Sequence, residues 1–120
     1  MRTHFRITSV DYGPEDLAAQ VPFDGVLLRK VAGPDRADYW LAELAKPLEW
    51  DDNGVARTVT HVVLAVRYEG ETIEPGFQRL VVGLAYVTDD TLLSDSELEF
   101  AKCRYVAIGV AENARKGGAA

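Results

Sequence analysis

Short stretches of this chain alternate apolar and polar residues with a period of two, or form β-branched runs bounded by glycine. Both patterns are typical of β-strands. The stretches that show them are 4–10, 26–31, 58–68, 77–87 and 105–110. Two of these, 58–68 and 77–87, are apolar on both faces. They are therefore predicted to be central strands, with neighbours packed on each side.

The bulky apolar residues of the clearest strands predict the hydrophobic core. Within each strand they share one parity, so their side chains should point to the same side of a sheet. The predicted core residues are Phe5, Ile7, Val62, Leu64, Val66, Leu80, Val82, Leu84, Val106 and Ile108.

Small residues recur in three strands, on the parity opposite these bulky ones. They are Ala65, Gly83, Ala85, Ala107 and Gly109. Glycine within a strand costs backbone entropy and removes packing, so its recurrence predicts that another layer approaches this face closely. Segment 14–20 or segment 95–101 could supply that layer from within the chain. If neither does, the small face is predicted to bind a partner.

Segment 35–45 admits two interpretations. Its apolar residues have helical spacing behind Pro34 and Asp35, which indicates a helix ending before Pro47. However, apolar residues from Trp40 to Trp50 also share one parity, and the sequence Asp-Asp-Asn-Gly follows at 51–54. Asn-Gly adopts the positive φ angles of tight hairpin turns, so a strand leading into a hairpin is favoured.

These elements predict a mainly β fold, a small antiparallel barrel or sandwich with one or two short helices. The alternative is an α+β fold with a helix at about 35–45. A chain of 120 residues has room for one domain, which we place at 1–112. Residues 113–120 lack apolar periodicity and contain two glycines, which predicts a flexible C-terminal tail.

Charge and cysteine content narrow the function classes. The net charge of −6, from 19 acidic and 13 basic residues, opposes binding to nucleic acid or anionic membranes. No apolar run reaches the roughly 18 residues of a membrane span. The single cysteine, Cys103, cannot form an internal disulfide, which indicates a reducing compartment. With a composition typical of a GC-rich bacterial genome, we expect a protein of the bacterial cytoplasm.

Catalytic and metal-binding patterns are weak. The two histidines, His4 and His61, have no serine, cysteine or aspartate at a motif spacing, and the glycines form no phosphate-binding loop. Neighbouring strand residues point to opposite faces, so the charges flanking Cys103 do not activate its thiol. The acidic clusters at 51–53 and 89–95 are explained by turn formation and helix capping. No enzyme activity, metal or cofactor is therefore predicted.

Aromatic residues near the predicted hairpin are candidates for binding. Trp40 and Trp50, which border the hairpin together with Tyr39, belong to a residue type that is frequent at interfaces, although core packing is the favoured explanation for either tryptophan, and His61 is the third candidate. The favoured hypothesis is a noncatalytic binding protein with a protein partner, for example an acidic protein that neutralises its partner. One alternative is a small-ligand-binding domain or an enzyme with a site from distant residues, which a fully packed barrel interior would oppose. Another is a structural subunit whose strand edges pair between copies.

Overall fold

Six antiparallel strands form a closed barrel, so the predicted mainly β fold is confirmed. A computed structural model describes residues 3–68, 70–74 and 76–114. The strands are β1 (His4–Asp11), β2 (Phe23–Val31), β3 (Tyr39–Asp52), β4 (Val55–Val66), β5 (Arg79–Val87) and β6 (Cys103–Ala114). One short helix, α1 (Glu15–Ala18), follows β1, and two 3-10 turns lie at Asp90–Ser94 and Phe100–Lys102.

Each strand pairs with the next strand in sequence, and β1 pairs with β6 to close the ring. His4 lies opposite Ala114 in this closing pair. Strand edges are removed when a sheet closes on itself. The proposal of a structural subunit that assembles through free strand edges therefore has no support in the described barrel.

Residues 35–45 do not form a helix, so the α+β alternative is wrong. Most of the segment lies in β3, which is paired with β2 on one side and with β4 on the other. The β3–β4 hairpin turns at Asn53 and Gly54, whose φ angles are 53° and 86°. Trp50 faces Arg57 across this hairpin. The turn preference of Asn-Gly and the pairing on both sides outweigh the helical spacing of a few apolar residues.

One hydrophobic cluster fills the inside of the barrel and is closed at both ends. Leu17 of α1 is buried at the end where β1 finishes, and Ile73, from the connection between β4 and β5, is buried in the same cluster. The Gln20 side chain fixes the end of α1 by donating a hydrogen bond to the Glu49 carbonyl at 2.6 Å. This packing opposes the hypothesis of a ligand inside the barrel.

Most predicted core residues face this interior. The buried ones are Phe5, Ile7, Val62, Leu64, Val66, Val82 and Leu84. Leu80, Val106 and Ile108 are half-buried. The prediction of a bulky inner face is therefore correct for β1, β4 and β5, with Leu80 at its margin.

In β6 the prediction of faces was wrong for Ile108 and for the small residues, whereas Val106 packs against the interior cluster as predicted. Ala107, Gly109 and Ala111 point inward and are buried, whereas Ile108 lies on the outer face. The interior of a narrow barrel is filled by pairing large residues with small ones. A β-carbon added at Gly109 would lie 3.1 Å from the Ser9 carbonyl oxygen and 3.4 Å from the Ile7 side chain, so β1 leaves little room for a large residue at this position.

Residues 88–102 form a strap that joins β5 to β6 across the outer surface. The backbone N–H of Leu98 donates to the carbonyl of Ala32, just beyond β2, at 2.7 Å. The guanidinium of Arg29 donates to three backbone carbonyls of the strap, including that of Asp95 at 2.5 Å. The strap is thus attached to a strand that is distant in sequence.

The strap covers part of the outer face with a second hydrophobic cluster. Its Leu92 and Leu98 are buried against outward-facing residues of β2, β3 and β4, with Ala85 of β5 packed against the cluster. Segment 95–101, predicted to be an internal cover for the small face, therefore does cover part of it. The rest of the small residues of β4 and β5 lie beside the strap.

The described chain ends within β6, at Ala114. Asn113 and Ala114 of the predicted tail belong to this strand, and residues 115–120 lie outside the described residues. Within the described ranges, no helix is both long enough and apolar enough to cross a membrane.

Candidate functional site

An open groove of about 430 Å³ lies on the outer face of the barrel, beside the strap. Its floor consists of outward-facing residues of β4 and β5, and its walls come from the strap and from the ends of β3 and β6. The residues that line the groove are Arg36, Tyr39, Val63, Ala65, Val66, Arg67, Gly83, Leu84, Ala85, Leu98, Phe100, Cys103 and Tyr105.

The floor is formed by small residues because of strand alternation. Leu64 and Leu84 point into the barrel, so Ala65, Gly83 and Ala85 point outward. A β-carbon added at Gly83 would have its nearest neighbours at 3.8 Å, and Gly83 has no left-handed φ angle. Neither packing nor backbone conformation therefore requires glycine at this position, although glycine weakens a strand.

One wall of the groove is held in place by contacts within the protein. The rings of Tyr39 and Phe100 are edge to face, with centroids 6.0 Å apart. The Tyr39 hydroxyl donates to the Asp35 carboxylate at 2.8 Å. A β-carbon at Gly33 would lie 2.8 Å from Cδ2 of Tyr39, so glycine allows the ring to lie directly against the backbone. The wall exists before any ligand binds.

Two aromatic rings border the groove and remain accessible to solvent. Phe100 is 50% exposed and Tyr105 is 59% exposed. Large apolar side chains exposed beside a cavity are typical of surfaces that contact a ligand or partner. The two rings and the small floor give the groove an apolar centre.

The charged residues of the groove are two arginines at one end. Arg36 lies in the connection between β2 and β3, and Arg67 directly follows β4. The Arg36 guanidinium donates to both carboxylate oxygens of Asp38 and, at 3.0 Å, to the Val66 carbonyl. It also lies 5.7 Å from the centre of the Tyr39 ring. These contacts fix Arg36, and the hydrogen bond to Asp38 raises its pKa.

Cys103 is the single cysteine of the chain and is half-buried in the groove wall. Burial raises the pKa of its thiol, which favours the protonated form over the nucleophilic thiolate. No histidine or carboxylate is among the lining residues of the groove to act as a base. Among the described residues, the surroundings of Cys103 thus give no support to nucleophilic catalysis.

Stability should fall at alkaline pH because Tyr39 resists ionisation in the folded state. Burial, followed by the hydrogen bond to Asp35, raises the pKa of Tyr39 from 10.0 to about 12. Below pH 10 both states keep the proton and this contribution is fully present. Between about pH 10 and 12 the unfolded state ionises first, so the contribution is lost as pH rises. In urea unfolding across this pH window, we expect Tyr39→Phe to lose less stability than the wild type. Equal losses of stability in the two proteins would contradict the assignment of this effect to Tyr39.

The three binding candidates from the sequence lie away from this groove. Trp50 is buried inside the barrel, where its ring contacts Tyr86 edge to face at 5.1 Å between centroids. Trp40 is half-buried, with the Lys30 ammonium 5.9 Å from its ring centre. His61 lies across from Glu43, with Nε2 3.7 Å from the carboxylate. None of the three lines the groove.

Sequence patterns identified part of the groove but missed its walls. The small residues Ala65, Gly83 and Ala85 indicated the correct face. Phe100 was not selected because it lies in the strap, far in sequence from the floor, where its signal was limited to being a large aromatic residue in a mainly polar connection. Tyr105 lies near the start of β6, within a predicted strand, and its pattern did not show that it would border the groove.

Metal removal is expected to leave the protein unchanged. Among the described residues, no group of three or more His, Cys, Asp or Glu side chains is arranged to hold a metal ion. The carboxylates of the two acidic clusters bind backbone N–H groups instead: Asp51 accepts from Gly54 at 3.1 Å and Asp89 accepts from Thr91 at 3.0 Å. Excess EDTA should therefore not alter the melting temperature, and a clear decrease would reveal a metal site.

No protein-family model matches the chain, and no curated protein or solved structure is significantly similar to it. The groove geometry is therefore the basis for assigning a function.

Proposed function

We propose that this is a noncatalytic binding protein that holds a small molecule with an apolar part in the groove. The main observation is the room above Gly83, where an added β-carbon would make only ordinary contacts, the nearest at 3.8 Å, and where φ does not require glycine. A side chain there would point into the groove. A ligand that occupies this space explains why the chain tolerates the cost of glycine within β5.

Size and composition favour a small molecule. Ligand sites usually measure roughly 300–1,000 Å³, are mainly apolar and contain a few polar groups. The groove, at about 430 Å³, combines a floor of small residues with aromatic walls and two arginines. Because contacts with Asp35 and Phe100 fix Tyr39, little ordering is needed when a ligand binds.

A neutral fluorescent probe, N-phenyl-1-naphthylamine, tests this proposal. We expect saturable binding with one molecule per chain, and protection of Cys103 from a thiol reagent by the bound probe. Cys103 is suited to report occupancy because it is the single thiol and lines the groove. The Gly83→Leu variant should fill the groove and weaken binding by at least about tenfold, equivalent to roughly 1.4 kcal/mol.

Ala56→Leu is the matched control, since Ala56 is exposed on β4 and does not line the groove. It should bind the probe as the wild type does. Both variants should keep the wild-type melting temperature within a few degrees, because neither adds atoms to the barrel interior. The proposal is overturned if the wild type does not bind, or if a folded Gly83→Leu variant binds with unchanged affinity.

A protein partner is the second candidate, favoured by the exposure of Phe100 and Tyr105 and by the net charge of −6. The groove has no carboxylate among its lining residues, so neutralisation of a basic partner would need another surface. A cytoplasmic location belongs to the same proposal and is supported by the single free thiol. A polylysine column tests for a basic partner. If the wild type binds to it and Phe100→Ser and Tyr105→Ser bind equally well, the surface that binds a basic partner lies outside the groove.

A further inference from the structure

Cationic side chains line the groove of a protein that is acidic overall. The chain has 19 acidic and 13 basic residues, yet the charged side chains that line the groove are Arg36 and Arg67. The two other depressions described on the surface differ in this respect. One is lined by Asp24 and Glu43, and the other by Asp24 and Lys46. Among the residues that the structure describes, the groove with the apolar centre thus has no carboxylate in its lining, unlike the two other depressions.

The two arginines have different surroundings. Arg36 is held by Asp38 and by the Val66 carbonyl, so much of its charge is already balanced. Arg67 follows Val66 directly in the chain, is exposed, and makes no ion pair with another residue in 3–68, 70–74 or 76–114. An exposed guanidinium with no such partner can form strong, paired hydrogen bonds with a carboxylate.

The order of residues along the strands places the apolar and cationic parts side by side. Ala65 is paired with Gly83 in the floor, and β4 ends one residue later, immediately before Arg67. A molecule lying over Gly83 next to the Tyr105 ring therefore has the cationic end of the groove ahead of it. A ligand that contacts both parts of the groove would therefore need its aromatic ring and its charged group close to each other.

We propose that the ligand is a small aromatic carboxylate, with its ring on the floor and its carboxylate paired with Arg67. This inference rests on the proposed binding function and specifies the ligand class. Arg67 supplies the ion pair, while the charge of Arg36 is largely balanced by Asp38. The small size follows from the groove volume, and the negative charge follows from Arg67.

Two probes that share one ring system separate the charge from the apolar contact. N-phenyl-1-naphthylamine is neutral, and 8-anilino-1-naphthalenesulfonate adds one anionic group to the same skeleton. We expect the wild type to bind the anionic probe about tenfold more tightly at low salt, a ratio typical of a charge-assisted hydrogen bond. The Arg67→Gln variant should reduce this preference to about twofold or less and leave binding of the neutral probe unchanged.

Arg79→Gln is the matched control, because Arg79 is an exposed arginine of β5 that does not line the groove. It should keep the full preference for the anionic probe. In the wild type, 2-naphthoate should displace the anionic probe and the neutral 2-naphthamide should not, which extends the result to carboxylates.

The possible results distinguish the two proposals. If the neutral probe binds and Gly83→Leu prevents its binding, but the anionic probe shows no preference that depends on Arg67, the groove binds ligands and the carboxylate inference is wrong. If neither probe binds, the proposed function fails together with the inference. A preference lost equally in Arg67→Gln and Arg79→Gln would reflect general charge and would also overturn the inference.

Discussion

Replacement of Phe5 by alanine should lower the free energy of unfolding by about 3–5 kcal/mol, the usual cost of removing a buried phenylalanine ring. Phe5 has 0% exposure and lies inside the barrel. A β-carbon added at Gly25 would lie 2.6 Å from Cζ of Phe5, so the ring rests against the backbone of β2. Backbone held in two paired ladders cannot move inward easily to fill the resulting cavity, which favours the upper half of the range.

Denaturant unfolding of the wild type and of Phe5→Ala at neutral pH measures this loss of unfolding free energy. Phe100→Ala is the control, because it removes the same ring from a position that is 50% exposed. Phe100→Ala should lower the free energy of unfolding much less than Phe5→Ala, although it removes a ring that borders the groove. Equal losses for the two variants would show that the interior packing described for Phe5 is incorrect.

The second large effect is expected for Ala107→Leu, which should cost about 3 kcal/mol, the upper end of the usual range for overpacking. Ala107 has 0% exposure and points into the barrel. A β-carbon at Gly13 would lie 2.5 Å from Cβ of Ala107, so the chain after β1 passes directly over this side chain. The added carbon atoms of leucine would have to displace backbone or core residues.

Ala56→Leu makes the same chemical change on the exposed face of β4 and should alter stability by less than about 0.5 kcal/mol. Thermal and denaturant unfolding of both variants give the comparison. If Ala107→Leu were as stable as Ala56→Leu, the inward orientation of the small residues of β6 would be disproved. The experiment therefore tests the one strand whose faces the sequence assigned incorrectly.

Local patterns predicted most of the fold because they depend on local physics. Asn53 and Gly54 specify a turn through their φ preferences, and the alternation around Leu64 and Leu84 specifies which side of each strand is buried. In β6 both parities are apolar or small, so hydrophobicity alone cannot choose between them. The choice depends on β1, because a β-carbon at Gly109 would lie 3.1 Å from the Ser9 carbonyl oxygen and 3.4 Å from the Ile7 side chain, which leaves little room for a large residue.

The sequence pattern located the floor of the groove but did not show which distant residues form its walls. The small residues of β4 and β5 share a parity, which a strand pattern reveals. Arg36, Phe100 and Tyr105 meet there because the strap folds back over the barrel and is held by Arg29. That path depends on hydrogen bonds to backbone carbonyls, which leave no periodic pattern in the sequence. The tryptophans were selected for their residue type, and Trp50 proved to be a core residue.

The pleat of β4 and β5 gives the barrel two independent surfaces from one pair of strands. Leu64, Val82 and Leu84 hold the interior together, while Ala65 and Gly83, located between them in sequence, form the floor of the groove. Substitutions on the outer parity can therefore change which molecules fit without altering the residues that stabilise the fold. Such a separation makes the groove well suited to directed evolution, since its lining can be varied at little cost in folding.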